Sequence, residues 1–118
     1  MKSVEVKWLT SRANSPDQAE VFIDGICSCL CTIYHNGKAQ IMVVDDVKTE
    51  EKYRNNGYGS ALINSVIQLA KDWKIDSVEL TVASGNDVAK RLYDKAGFKK
   101  TAKIHYRILL NEWTSQPA

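Results

Sequence analysis

The sequence is short of several things, and each shortage narrows what the chain can be. No apolar run comes near the roughly 18 residues that a membrane-spanning helix requires, so no membrane association is expected. The opening segment, "MKSVEVKWLT", alternates in polarity and lacks the continuous apolar stretch of an export signal, which points to a cytoplasmic protein. Net charge is only +2, from 16 basic and 14 acidic residues, too slight for a nucleic-acid surface. Lys99, Lys100, Lys103 and Arg107 gather near the last strand, but without a general excess of positive charge they do not argue for DNA or RNA. Repeats, linkers and low-complexity stretches are also missing. A chain of 118 residues supplies one core and not two, so a single domain over 1–118 is expected.

Metal-binding motifs are lacking as well. The three cysteines, Cys27, Cys29 and Cys31, alternate in "GICSCLCTIY". A strand would set them on one face about 6.5–7 Å apart, too far for an unstrained disulfide and poorly placed for a tetrahedral metal site. No fourth ligand stands at a recognisable spacing. Three small, buried, reduced thiols are expected, and no metal.

What is present divides the chain in two. Residues 4–10 alternate, with Val4, Val6 and Trp8 on the inward side and Glu5 and Lys7 outside, as in a half-buried strand. "SRANSPDQ" (11–18) reads as a loop broken by Pro16. Strands are predicted over 19–24 and 26–34, joined at Asp24-Gly25, and over 39–49 after the turn-forming "HNGK", where His35 reads as exposed. After residue 50 the period changes. Leu62, Ile63, Val66, Ile67, Ala70 and Trp73 give helical spacing over 59–74. A strand over 74–84 follows, then a helix over 86–98 capped by Asn86 or Asp87 and stopped at Gly97. Its inner stripe is Ala89, Leu92, Tyr93 and Ala96, and 99–110 forms a last strand region. The order β-β-β-β-α-β-α-β predicts an α+β domain with a mixed, mainly antiparallel sheet flanked by two main helices.

The segment "RNNGYGSAL" (54–62) stands between strand and helix. It is neither a dinucleotide fingerprint, which would need a third glycine where Leu62 stands, nor a Walker A loop, which would need Gly-Lys-Ser/Thr. Gly57 can adopt positive φ, and Gly59 leaves room for close approach to the backbone. Successive N–H groups at the positive helix end can then converge on an anion, with Arg54 as a planar charged donor. A tight turn with Arg54 in solvent would use the same residues.

Arg54-Asn55-Asn56-Gly57-Tyr58-Gly59 resembles the Arg/Gln-x-x-Gly-x-Gly/Ala signature of the GNAT (GCN5-related N-acetyltransferase) superfamily. Asn86-x-x-Ala89-x-x-Leu92-Tyr93-x-x-x-Gly97-Phe98 resembles its later helix block, and Tyr106 suits its last strands; the likeness spans about 19–110. The resemblance implies acetyl-coenzyme A as donor, with its pyrophosphate on Arg54, Asn55, Asn56, Gly57, Tyr58, Gly59 and Ser60. It also implies that the pantetheine arm pairs with the backbone of Val47 and Thr49 and touches Asn86, and that Tyr93 is the acid to the departing thiolate. The lead-in departs from the family's "V.P.YR", since Thr49-Glu50-Glu51-Lys52-Tyr53 lacks the proline.

An alkylamine of pKa about 10.4 is only about 0.04% free base at pH 7, so transfer needs a base. The family's usual glutamate positions fall here on Val43 and Thr81, which do not ionise usefully. Asp45 and Glu79 share faces with them and are the candidates; Asp46 and Glu50 enter if a bulge shifts the register, and His105 is a weaker option. An oxyanion donor is expected near Val47. Lys90, Arg91 and Lys95 could approach the nucleotide's extra phosphate or form a solvated helix face. The usual two helices after the first strand are absent, so the acceptor side should be open unless a second copy closes it. An open groove suits a protein or peptide amine, a lysine or an N-terminus, as acceptor. A degenerate module that holds coenzyme A or a partner protein without turnover is the alternative.

Overall fold

A computed structural model describes residues 3–9, 17–35, 37–101 and 105–113. Most of the expected 11–18 loop with Pro16, Asn36 of the Asn-Gly turn, Lys103 and the polar tail lie outside those residues. A seven-stranded sheet runs in the order β1-β2-β3-β4-β5-β7-β6, with β1 Glu5–Trp8, β2 Asp17–Ile23, β3 Cys27–His35, β4 Gln40–Thr49, β5 Ser77–Thr81, β6 Lys99–Lys100 and β7 His105–Leu109. Helix α1 (Tyr58–Asp72) links β4 to β5, and α2 (Asp87–Ala96) links β5 to β6. Among the described residues only β4 and β5 pair in parallel. The expected fold class is borne out, with its last strand region resolved into two strands that pair with each other. Asp17 and Gln18, read as loop, belong to β2, and a 3₁₀ turn over Glu51–Tyr53 was not anticipated.

Both helices lie on one face of the sheet and share one core. Leu62, Ile63, Val66, Ile67 and Ala70 of α1 and Tyr93 and Ala96 of α2 are buried with Val21, Cys29, Met42, Val44, Val78, Leu80, Tyr106 and Ile108. All three cysteines point into this core and none forms a disulfide, as their alternation predicts. Asn86 caps α2, its Oδ1 accepting from the Ala89 N–H at 3.1 Å. Gly97 ends that helix at φ 107°, where a Cβ would stand 3.3 Å from Ile108 and Trp113. The Trp113 indole fastens the same end by donating to the Ala96 carbonyl at 3.1 Å.

The opposite face carries no helix among the described residues. Phe22, Leu30, Ile41 and Val43 are half-buried there, and Asp45, Thr81 and Arg107 are exposed. Trp8 departs from its expected burial: it is 52% exposed at the β1 edge and leans on Trp73, the residue that follows α1, at 4.8 Å between ring centroids.

Candidate active site

The site begins with a failure of pairing. β4 is ten residues long, yet its parallel register with β5 covers only Ile41↔Ser77, Met42↔Val78 and Val43↔Glu79. Beyond Val43 the two strands part. A bulge accompanies the divergence: Leu30 faces Asp45 and Ser28 faces Lys48, so β4 carries one residue too many, and Asp46 takes φ 53°. Val47 and Thr49 therefore lie on a strand that keeps β3 on one side and has lost β5 on the other. Backbone N–H and C=O groups along that edge are open to an extended ligand.

The turn region 50–57 holds the β4 end against α1. Glu50 N–H donates to Ile26 O at 2.8 Å, and the 3₁₀ turn closes with Tyr53 N–H on Glu50 O at 2.9 Å. Arg54 Nε donates to Thr49 O at 3.1 Å, and Asn56 Nδ2 to Arg54 O at 3.0 Å. Arg54 is thus a fastener of the loop, with its outer guanidinium nitrogens still turned to an exposed surface. Asn55 (φ 64°) and Gly57 (φ 83°) are both left-handed, which the glycine adopts without the strain a side chain would bring. The first α1 bond runs from Ala61 N–H to Gly57 O at 3.0 Å, and no side chain caps the helix. The N–H groups of Tyr58, Gly59 and Ser60 thus lack partners within the helix and sit at its positive end. A Cβ on Gly59 would stand 3.4 Å from Leu92 Cδ2, so that glycine also sets how closely α1 approaches α2. Tyr53 meets Tyr58 edge-on at 5.7 Å and orients the first helical residue.

Tyr93 approaches from the helix side. It is 5% exposed and packs against Phe98 at 5.7 Å and Tyr106 at 6.5 Å. Burial pushes its hydroxyl up to about 12, with a smaller contribution from the Cys29 thiol. Cys29 itself stands on β3 between Ser28 and Leu30, where the register with β4 shifts. Burial likewise raises the Cys27 thiol, and the Cys29 thiol is raised by its hydrogen bond with Cys31 together with burial. These thiols are packing groups rather than nucleophiles.

Asp45 and Glu79 lie on the other face. Glu79 stands opposite Val43 at the last β4–β5 rung, half-buried, with Ser77 Oγ at 3.4 Å. Asp45 is exposed two residues further along β4, and Arg107 is the cross-strand neighbour of Glu79 on β7. The sheet therefore stands between both carboxylates and the core that holds Tyr93. Asn86 stands at the start of α2, after the β5 end, where Lys90 Nζ donates to Ser84 O. Lys90 is thereby engaged with the β5–α2 loop. His35 ends β3 as an exposed residue, and His105 begins β7.

Comparison with known proteins follows the same lines. The family described as Acetyltransferase (GNAT) family matches residues 15–98. The uncharacterized N-acetyltransferase CgeE of Bacillus subtilis (strain 168) is 31% identical over 62 residues, 52% of this chain and 24% of CgeE. The L-amino acid N-acetyltransferase AaaT of Escherichia coli (strain K12) is 35% identical over 51 residues, 42% of this chain and 32% of AaaT. The chain thus spans a third or less of the curated relatives it matches. A GNAT family acetyltransferase from Elizabethkingia anophelis, solved with acetyl-CoA bound, superposes with a TM-score of 0.68 at 14% identity, over 90% of this chain and 97% of that one.

Proposed function

The chain belongs to the GNAT acetyltransferase family, and from that premise we propose that it is an acetyl-coenzyme A-dependent N-acetyltransferase acting on a primary amine. The observation that carries this reading is the conjunction of an uncapped α1 N-terminus with a β4 edge abandoned by β5. Together they fit the two parts of the donor. The N–H groups of Tyr58, Gly59 and Ser60, with the Arg54 guanidinium, suit a pyrophosphate. Val47 and Thr49 offer backbone to the amides of a pantetheine arm, with Asn86 across the fork. When bound, the donor supplies an activated thioester.

The chain's own groups then divide the work. Glu79 takes the proton from the incoming ammonium, directly or through water, and Asp45 is the second acid on that face. The amine nitrogen forms the C–N bond to give a tetrahedral oxyanion, whose collapse breaks the C–S bond while the second nitrogen proton passes to water. A backbone N–H near Val47, in the bulge, receives the oxyanion. Tyr93 donates its O–H toward the departing sulfur. With its hydroxyl at about 12 against a thiol near 8.5, it stays protonated at working pH and stabilises the thiolate chiefly as a hydrogen-bond donor. Among the described residues the helix-free face carries no helical wall, which favours an amine presented on a protein or peptide over a small enclosed one. AaaT, an L-amino acid acetyltransferase, marks the contrary expectation.

Calorimetric titration with acetyl-coenzyme A, followed by mass-shift detection of acetylated peptides, tests the reading. Binding with peptide acetylation is expected. Tyr93→Phe should lower turnover ten- to a hundredfold and leave donor affinity within about threefold. Binding without transfer to any amine would convert the assignment to a coenzyme A-holding module, and no binding would end it.

A further inference from the structure

Among the described residues β1 is the outer strand of the sheet, with no strand on its other edge, and that edge has a pattern that matches itself. Leu9 N–H donates to Gln18 O at 2.9 Å, continuing the register Lys7↔Glu20 and Glu5↔Phe22. In an antiparallel ladder every second residue turns its N–H and C=O to the neighbouring strand. Glu5 and Lys7 therefore bond inward to β2, and Val4, Val6 and Trp8 turn their backbone groups to the open edge. The side chains sort in the same rhythm. Val6 and Trp8 share the helix face with their partners Val21 and Ala19, and Glu5 and Lys7 are exposed on the other face. At that edge Trp8 is 52% and Leu9 36% exposed. A sheet edge with unsatisfied backbone and large exposed apolar groups is an association site unless something covers it.

We propose that a second copy of this chain covers it, pairing β1 with β1 antiparallel about a two-fold axis through Val6. In that register Val6 meets Val6, and Val4 meets Trp8 of the second copy. All of these are outward-bonding residues and complete a hydrogen-bonded ladder. Between them Glu5 of each copy faces Lys7 of the other as a non-hydrogen-bonded pair, where cross-strand side chains come closest. Charge selects this register: an axis through Glu5 would set Glu5 against Glu5, and one through Lys7 would set Lys7 against Lys7. Val4 of the second copy extends the cover over the Trp8–Trp73 pair. Seven strands from each copy become one continuous sheet with its helices on one side. The candidate site lies between β4 and β5, so pairing through β1 leaves it open.

Sedimentation velocity on the full chain, from low to high micromolar concentration, reads the association. The mass should rise from 13.3 kDa toward twice that value. Glu5→Lys and Lys7→Glu each turn both ion pairs into repulsions and should weaken the dimer at least about tenfold, with unchanged far-UV circular dichroism. Mixed together, the two variants restore opposite charges across the axis and should associate like the parent. The double swap Glu5→Lys with Lys7→Glu should do the same. On association, amide exchange should slow at Val4, Val6 and Trp8 and stay unchanged at Glu5 and Lys7. A chain monomeric at every concentration, a dimer indifferent to the single reversals, or variants that fail to complement each other would overturn the proposal.

Discussion

The two faces of the sheet are made by the same strands and do different work. On the helix side Val21, Met42, Val78 and Tyr106 are at most 3% exposed, and their strand neighbours Phe22, Val43, Glu79 and Arg107 are half-buried or exposed on the other side. One face supplies the hydrophobic free energy of folding. The other carries Asp45, Glu79 and Arg107, which sealing beneath a helix would desolvate at considerable cost. Tyr93 belongs to the first face, packed in the core against Phe98 and Tyr106. The difference teaches that, on the proposed reading, this fold keeps stability and chemistry on opposite faces of one sheet.

Stability should break along the same line. Met42→Ala removes a side chain 1% exposed and should cost about 2–5 kcal/mol. Val43→Ala, one residue on and pointing the other way, should cost less than about 1.5 kcal/mol. Denaturant unfolding at constant m-value measures both. Equal losses would mean that the open face is buried in solution.

The next largest effect sharpens the comparison through pH. Tyr93 has its hydroxyl raised to about 12 in the folded chain, above the ordinary value near 10. The protonated form is favoured by folding, so its contribution is complete below about pH 10 and is lost as pH rises through 12. That amounts to roughly 2–3 kcal/mol, and Tyr93→Phe should flatten the corresponding part of the alkaline stability curve. The buried Cys27 and Cys29 thiols, also raised, add a slope that the substitution leaves in place. Superimposable alkaline curves for the two proteins would show that Tyr93 is solvated in the free chain.

On the open face the expected effects are kinetic and smaller. Glu79→Gln should lower kcat/KM ten- to a hundredfold. Asp45→Asn, exposed and beyond the last rung, should change it by less than about threefold. A reversal of that order would move the base to Asp45 and the acceptor outward along β4.

Much of this was legible in the sequence because it depends on local chemistry. The 3.6-residue period of Leu62, Ile63, Val66, Ile67 and Ala70, the cap at Asn86 and the stop at Gly97 are decided by neighbours in the chain. So are the alternating cysteines, whose row in β3 needed only the pleat of a strand. Two spaced motif blocks sufficed to identify the family. Other features depend on partners distant in sequence. The splay after Val43 comes with a bulge in β4 at Asp46, and nothing near Asp46 in sequence announces a positive φ. Arg54 reads as a free anion donor until its Nε is found on the Thr49 carbonyl. Trp8 has the alternation of a buried residue, but β1 is an edge and its inward face meets only part of α1. Periodicity specifies which side of an element is apolar; how much of that side is covered is decided by what the rest of the chain packs against it.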